Sequence, residues 1–151
     1  ADQTLSATGL GWYEVSNWSA SLASRCRHNE LYWTGGNWWG IGPGAHSHIG
    51  GARWWNRKHP AAYARSLADG GSPAHGSELL DGAQRRIETI MLGIRLRSGV
   101  ALGVLSERGQ QRAAEAVTYG LLERGAYAMG RAALTMRGRL LADAVVRDLT
   151  D

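Results

Sequence analysis

The 151-residue chain has no phenylalanine, one cysteine, three prolines and a single lysine, Lys58. With Cys26 alone, an internal disulfide is excluded, and a reducing compartment is the natural setting. One thiol also excludes a self-contained iron–sulfur cluster, which needs several clustered thiolates. No apolar run is long enough to cross a bilayer. No basic segment followed by an apolar stretch opens the chain, so no secretory signal is read. These absences together predict a cytoplasmic protein without a membrane span. No internal repeat or low-complexity segment occurs.

The lack of phenylalanine hands the large-aromatic role to seven tryptophans and five tyrosines. Sixteen of the seventeen basic residues are arginine, which reads as genomic base composition rather than function. The net charge of +4 would favour nucleic acid, anionic lipid or an acidic ligand alike, so charge does not choose among them. An apolar fraction of 44% can build a core, and the length allows one domain, or a small domain plus part of another.

What is present concentrates between His28 and His48. His-Asn-Glu-Leu-Tyr-Trp is followed by Thr-Gly-Gly-Asn-Trp-Trp-Gly and then Ile-Gly-Pro-Gly-Ala-His-Ser-His. Aromatic rings bring apolar area with little entropy to lose. Glycines let backbone approach closely or take positive φ. Histidine brings a nitrogen ligand or a proton carrier. The combination suits a flat aromatic ligand or a cofactor met by backbone.

Taken in order, residues 2–8 read as the end of a helix with Gly9 at its C′ position, so the chain is expected to begin inside a larger fold. Trp12 to Trp18 alternates like a strand, with Tyr13 and Val15 against Glu14 and Ser16. Residues 28–33 suit a helical turn or two, and 38–41 a short strand. An extended 45–48 would put His46 and His48 on one face. Residues 59–68 read as a helix with Pro60 in its first turn. Residues 69–77, rich in glycine, serine and proline, read as a linker.

Beyond it, Leu80, Ala83, Ile87, Ile90, Met91 and Ile94 keep helical spacing, with Asp81 and Gln84 as a capping box. A second helix bears Ala113, Val117 and Leu121, with Gly125 as its expected C′ residue. Residues 126–129 and 132–135 flank Gly130-Arg131 and predict a small hairpin. Thr135 would cap a last helix carrying Leu141, Val145 and Leu149.

His28 is the sharpest chemical candidate, because a neutral imidazole can bind heme iron axially. Tyr32, four residues on, and Trp33 would wall such a ligand. The alternative is a histidine that bonds a backbone carbonyl and caps a turn. Cys26, two residues before, could also offer a ligand but reads as incidental. His46 and His48 form an H-x-H pair that could start a metal site, yet no Asp, Glu or Cys partner follows at ligand-like spacing. Gly42-Pro43-Gly44 lacks the Lys-Ser/Thr continuation of a phosphate loop and could be only a tight turn closing a sheet. Arg53, Arg57, Lys58 and His59 surround Trp54 and Trp55, a pattern suited to single-stranded nucleic acid, to porphyrin propionates, or to a solvated edge.

Several motifs in one order also carry a resemblance. Trp12-Tyr13-Glu14-Val15-Ser16-Asn17-Trp18, then His28-Asn29-x-x-Tyr32-Trp33, then Gly42-Pro43-Gly44-Ala45-His46-Ser47, Arg53-Trp54-Trp55-Asn56 and 134–141 resemble the C-terminal part of HemW-type heme chaperones. These belong to the radical-SAM family that also contains oxygen-independent coproporphyrinogen III oxidase.

The resemblance implies an α/β fold: the C-terminal remnant of an incomplete (β/α) radical-SAM barrel over residues 1–70, a linker over 71–77, and a mostly helical, winged-helix-like domain over 78–151. It implies heme as ligand and heme-accepting apoproteins as partners, with His28 as the heme-iron ligand. Tyr32, Trp33, Gly42, Gly44, Ala45 and His46 would be cofactor-binding residues.

A 4Fe-4S cluster and S-adenosyl-L-methionine would belong to the complete protein. The family's CxxxCxxC motif is absent here, so this chain alone would cleave no SAM. The second reading is the oxidase, against which the HNxxYW motif speaks. A third, DNA binding by the C-terminal module, lacks a helix with an uninterrupted basic face. Exposed edges of an unfinished barrel would invite a homodimer.

Overall fold

The computed structural model describes residues 1–150, and Cα packing divides the chain into two compact units. One unit comprises residues 1–35 with 86–151, and the other residues 36–85. The boundaries differ from a linker at 71–77. Ala74–Leu79 forms a strand that pairs with Ala52–Asn56, so the glycine-rich run is drawn into a sheet by its backbone hydrogen bonds.

In the larger unit, helix α1 (Asp2–Ala7) leads through Gly9, at φ +81°, into an antiparallel hairpin of β1 (Gly11–Glu14) and β2 (Asn17–Ser19). The expected single strand from Trp12 to Trp18 is thus two strands. The chain turns at residues 15–16, where the Asn17 side-chain amide donates to Glu14 Oε1 at 2.5 Å. Helix α2 (Arg27–Trp33) follows.

The helical part begins with α4 (Gly82–Gly93), whose first residues lie in the smaller unit. Asp81 Oδ1 accepts from the Gln84 amide at 2.8 Å, and Gln84 Oε1 from the Asp81 amide at 2.9 Å, the reciprocal capping anticipated from sequence. Strand β6 (Val100–Ala101), α5 (Glu107–Thr118), α6 (Arg124–Ala128), β7 (Arg131–Ala132), α7 (Met136–Leu140) and α8 (Ala142–Thr150) complete the unit.

Three sequence expectations change here. Helix α5 stops before Leu121, because Gly120 at φ +69° ends it, and Gly125 lies inside α6. The hairpin over 126–129 and 132–135 does not form. Residues 126–128 are helical, and β7 pairs with the distant β6, where the Arg131 guanidinium donates to the Ser98 and Gly99 carbonyls at 2.6 and 2.8 Å. The last helix is broken at Leu141 into α7 and α8, although Thr135 does cap α7 through the Gly138 amide at 3.0 Å.

One aliphatic core joins these elements: Ile90 and Ile94 from α4 and its exit, Val100, Leu105, Ala113, Leu122, Leu134, Val145 and Leu149. Helices α5 and α8 meet over the small side chains of Ala113 and Ala116.

The smaller unit is a three-stranded antiparallel sheet in the order β3 (His46–Ile49), β4 (Ala52–Asn56) and β5 (Ala74–Leu79), with α3 (Pro60–Ala68) between the last two. Pro60 sits in the first turn of α3, as its fixed φ favours. Residues 38–41 make no strand beyond a single bridge from Trp38 to His48. The buried side chains are mostly polar: Ser47, His48 and Asn56, with Leu80 as the one buried aliphatic side chain among the described residues of this unit.

Candidate functional site

The motif helix α2 is held by strand β1. Glu14 is fully buried, with 0% of its surface exposed. A buried carboxylate is costly unless its oxygens find donors. Here Oε1 accepts from Asn17 Nδ2 at 2.5 Å and from Asn29 Nδ2 at 3.4 Å, and Oε2 accepts from Trp33 Nε1 at 3.0 Å. The neighbouring Tyr13 hydroxyl accepts the Cys26 amide at 3.1 Å at the start of α2. Arg25 lies over the Tyr13 ring, 5.3 Å from its centroid, and pairs with Glu30 at 3.3 Å. At the other end the Arg95 guanidinium stands 5.8 Å from the Trp33 ring.

Residues 28 and 32 are one turn apart on α2, as are 29 and 33. Asn29 and Trp33 face Glu14. His28 and Tyr32 meet edge to face with ring centroids 4.8 Å apart. His28 is exposed, and its ring nitrogens form no hydrogen bond among the described residues, so the turn-capping alternative does not describe it. Tyr32 and Trp33 are half-buried. A pocket of about 210 Å³ beside them is lined by Glu14, Val15, Asn17, Asn29, Tyr32 and Trp33. That is below the roughly 300 Å³ at which enclosed ligand sites begin. It leaves His28 outside its lining, so any ligand of the imidazole would be met on the open surface of α2. Cys26 is exposed and unpaired.

The remaining candidates, Gly42, Gly44, Ala45 and His46, belong to the other compact unit. The structure therefore splits the predicted set into two groups. The turn through Gly42 and Gly44 uses positive φ at both, +106° and +69°. Its amides are spent on the protein itself. Gly40 donates to Ser47 Oγ at 2.9 Å, Gly42 to the Tyr63 hydroxyl at 3.2 Å, Gly44 to the Arg57 carbonyl at 3.0 Å and Ala45 to the Gly42 carbonyl at 3.3 Å. Asn56 Nδ2 holds the Gly40 and Gly42 carbonyls at 3.3 and 3.0 Å. This describes a turn that closes a sheet.

His46 and His48 share a sheet face, as expected for extended backbone, but their surroundings differ. His46 is exposed, with its ring 6.0 Å from that of Trp55. His48 is buried, and its Nδ1 lies 3.1 Å from the Gly36 carbonyl, which fixes Nδ1 as the donor. No group of three His, Cys, Asp or Glu residues that could hold a metal ion occurs among the described residues. The Trp55 ring fills the space a Cβ at Gly76 would need, and Trp54 meets Trp39 edge to face at 4.9 Å, so both are engaged within the sheet unit. Arg57, Lys58 and His59 remain on the exposed edge.

Sequence reasoning missed Glu14 and Asn56 as organisers. A carboxylate or amide in a strand reads as a solvent-facing position. The signal that could have found them was the set of possible partners: the donors Asn17, Asn29 and Trp33 for one, and the carbonyls of the glycine-rich turn for the other.

No family model matches the chain. It is 50% identical over 148 residues to the protein named heme chaperone HemW of Mycobacterium tuberculosis, covering 98% of this chain and 37% of that one. Identity to the protein of the same name from Bacillus subtilis is 30% over 146 residues, covering 93% and 38%. With the Synechocystis protein of that name it is 32% over 116 residues, covering 75% and 28%. The chain thus spans just over a third of the length of the relatives it matches first. Among solved structures it is similar to coproporphyrinogen III oxidase, HemN, of Escherichia coli, described as a radical SAM enzyme. The TM-score is 0.57 at 12% identity, over 97% of this chain and 33% of that one. The mixed α/β fold is therefore similar to part of that structure, and the described residues form no closed barrel.

Proposed function

The chain belongs, over nearly all its length, to the family of proteins named heme chaperone HemW, and from that premise we propose that it presents His28 of α2 as an axial ligand to heme within a heme chaperone. The observation that carries this is the state of the motif helix. Its inward pair is consumed by Glu14, while its outward pair leaves an imidazole exposed with unengaged nitrogens beside a tyrosine ring. That donor fits heme iron. Heme is the cargo in this reading, and heme-accepting apoproteins are the partners that receive it.

Tyr32 supplies a half-buried ring at the ligand's side, and Trp33 serves the helix rather than the ligand. Gly42, Gly44, Ala45 and His46 enter this reading as a second surface. His46 is its one exposed polar side chain, since the turn's amides are already bonded. Arg57 and Lys58 are exposed basic side chains of that unit.

A 4Fe-4S cluster does not fit this chain, because Cys26 is its one thiol. Cluster and S-adenosyl-L-methionine chemistry are left to the part of the relatives' length outside the matched stretch. The finer architecture of the reading is a C-terminal barrel remnant followed by a winged-helix-like module; the β6–β7 ladder within the helical unit supports the latter. The cytoplasm is the expected compartment, and no helix among the described residues is long and apolar enough to cross a membrane. Association of two copies through the open edge of β5 belongs to the same reading.

The test is a heme titration of the chain followed by Soret absorbance, beside His28→Ala. Saturable one-to-one binding that is lost in the variant, with far-ultraviolet circular dichroism unchanged, is the expected result. Equal binding in both proteins removes His28 as the ligand. The oxidase reading rests on the fold likeness alone and predicts decarboxylation of coproporphyrinogen by a cluster-loaded full-length protein.

A further inference from the structure

We infer that Glu14 is the positioning residue of α2. Its buried carboxyl group sets the rotation of the helix about its axis, and so decides that His28 and Tyr32 face outward. The inference rests on the reading of His28 as heme ligand.

Helix α2 has seven residues and no side-chain cap at its start. A helix this short is marginal by itself, so its orientation is imposed from outside. Apolar packing against one stripe would tolerate rotation by part of a turn, because it is not directional. Hydrogen bonds to a single fixed carboxyl group do not tolerate it. Asn29 and Trp33 reach opposite oxygens of Glu14, which fixes one stripe of the helix along its length.

The stripe of His28 and Tyr32 is one residue earlier, about 100° around the axis. Fixing the first stripe therefore fixes the second. Asn17 holds the carboxyl group from the hairpin side at 2.5 Å, and the Tyr13 hydroxyl fixes the helix start through Cys26. No ion pair reaches Glu14 among the described residues, and the group is fully buried. Its bonds are thus all to neutral donors, two of them on α2. Removing the acceptor leaves those buried donors unmatched, which costs more than the bonds are worth while made.

The experiment uses the 151-residue chain with Glu14→Gln, which keeps shape but turns one of the two acceptor oxygens into a donor, facing either the Trp33 indole N–H or the Asn17 and Asn29 amides. Two readouts are taken without heme: the indole N–H resonance of Trp33, and amide hydrogen exchange across residues 28–33. Two more are taken with heme: affinity and Soret position.

The expected result is a shifted indole resonance, faster exchange in α2, and heme affinity lower by roughly ten- to a hundredfold, the range for partners that orient a metal ligand. The rescue is Glu14→Gln combined with Asn29→Asp, where the new amide at 14 donates to the new carboxylate at 29 and to Asn17 with its side-chain amide turned to present Oδ1, while the remaining oxygen of residue 14 still accepts from the Trp33 indole. It should recover most of the exchange protection and affinity, which a merely structural role would not produce.

Unchanged indole resonance and exchange in Glu14→Gln overturn the inference. So does a loosened α2 with unchanged heme affinity, and so does a double variant no better than the single one. If Glu14→Gln does not fold, Trp33→Phe removes one donor and leaves Asn17 and Asn29 on the carboxyl group. It should show faster exchange in α2 and a smaller loss of heme affinity, and the absence of both overturns the inference. Heme binding that is the same in His28→Ala as in the unaltered chain would instead sink the ligand reading. The two heme-free readouts would still decide whether Glu14 orients α2.

Discussion

Asn56 donates its side-chain amide to the Gly42 carbonyl across 3.0 Å, from the end of β4 into the Gly-Pro-Gly turn. The same amide reaches the Gly40 carbonyl at 3.3 Å, and Asn56 is 4% exposed. One side chain therefore holds both of these carbonyls, while the Gly40 and Gly42 amides go to Ser47 and Tyr63. Asn56→Ala should destabilise the smaller unit by about 1–3 kcal/mol, the cost of leaving buried polar groups unmatched. Asn56→Asp should be worse, since a carboxylate would face two carbonyl oxygens. Urea unfolding followed by tryptophan fluorescence checks both, and an unchanged midpoint in Asn56→Ala would mean that the turn needs no clamp.

Two glycines of the helical unit should respond differently to the same substitution. At Gly138 in α7, an added methyl would overlap the Leu121 carbonyl and stand 3.1 Å from Leu134 Cδ2. Gly138→Ala should cost about 1–3 kcal/mol through overpacking. Gly120 has open space around a Cβ but sits at φ +69°. There Gly120→Ala should cost about 1–2 kcal/mol from the backbone alone, and Gly120→Asn should recover most of it. Midpoints of chemical unfolding separate the cases: a Gly138→Asn no worse than Gly138→Ala would contradict the steric account.

The helical half was largely legible because its signals are local. The Asp81–Gln84 box, the Thr135 cap and the four-residue spacing of Val145 and Leu149 each follow from neighbours within a turn; the break at Leu141 did not show in that spacing. The failures came where distant backbone competed. Arg131 binds the carbonyls of Ser98 and Gly99, so β7 pairs with the distant β6, Val100 with Ala132 and Ala101 with Arg131, instead of closing a hairpin on Gly130. Residues 69–77 look like a linker by composition, yet from Ala74 onward the chain pairs with the edge of β4. At the site, His28 and Tyr32 were readable from the motif as a pair. That Asn29 and Trp33 serve a buried glutamate was not, because a lone glutamate in an alternating strand carries no mark of burial.

Core depth predicts a clear contrast in the last helices. Leu149 of α8 is 1% exposed within the aliphatic cluster, whereas Leu140 of α7 is 78% exposed. Leu149→Ala should cost about 2–5 kcal/mol, and Leu140→Ala should fall within about 0.5 kcal/mol of the unaltered chain. Thermal unfolding of the two variants is sufficient. A Leu140→Ala loss as large as that of Leu149→Ala would show that the exposed leucine is covered in solution.

Acid should weaken the larger unit through Asp2. The hydrogen bond from Arg139 holds the Asp2 carboxyl below its ordinary value of 3.8, aided by the Trp18 indole N–H and opposed by desolvation. The distances are 3.0 Å from Arg139 Nη2 and 3.0 Å from Trp18 Nε1, both to Oδ1. The folded value is depressed, so the unfolded chain takes up the proton first as pH falls. The stabilisation is therefore complete above the unfolded value and is lost as pH drops through the lower folded one. Asp2→Asn lacks the titrating group. Its melting temperature should lie below that of the unaltered chain at neutral pH, and the two should converge at the acid end. Arg139→Gln should remove the same pH-dependent part, because the guanidinium is the first cause of the shift. Parallel pH profiles for Asp2→Asn and the unaltered chain would show that the Asp2–Arg139 pair carries none of the acid sensitivity.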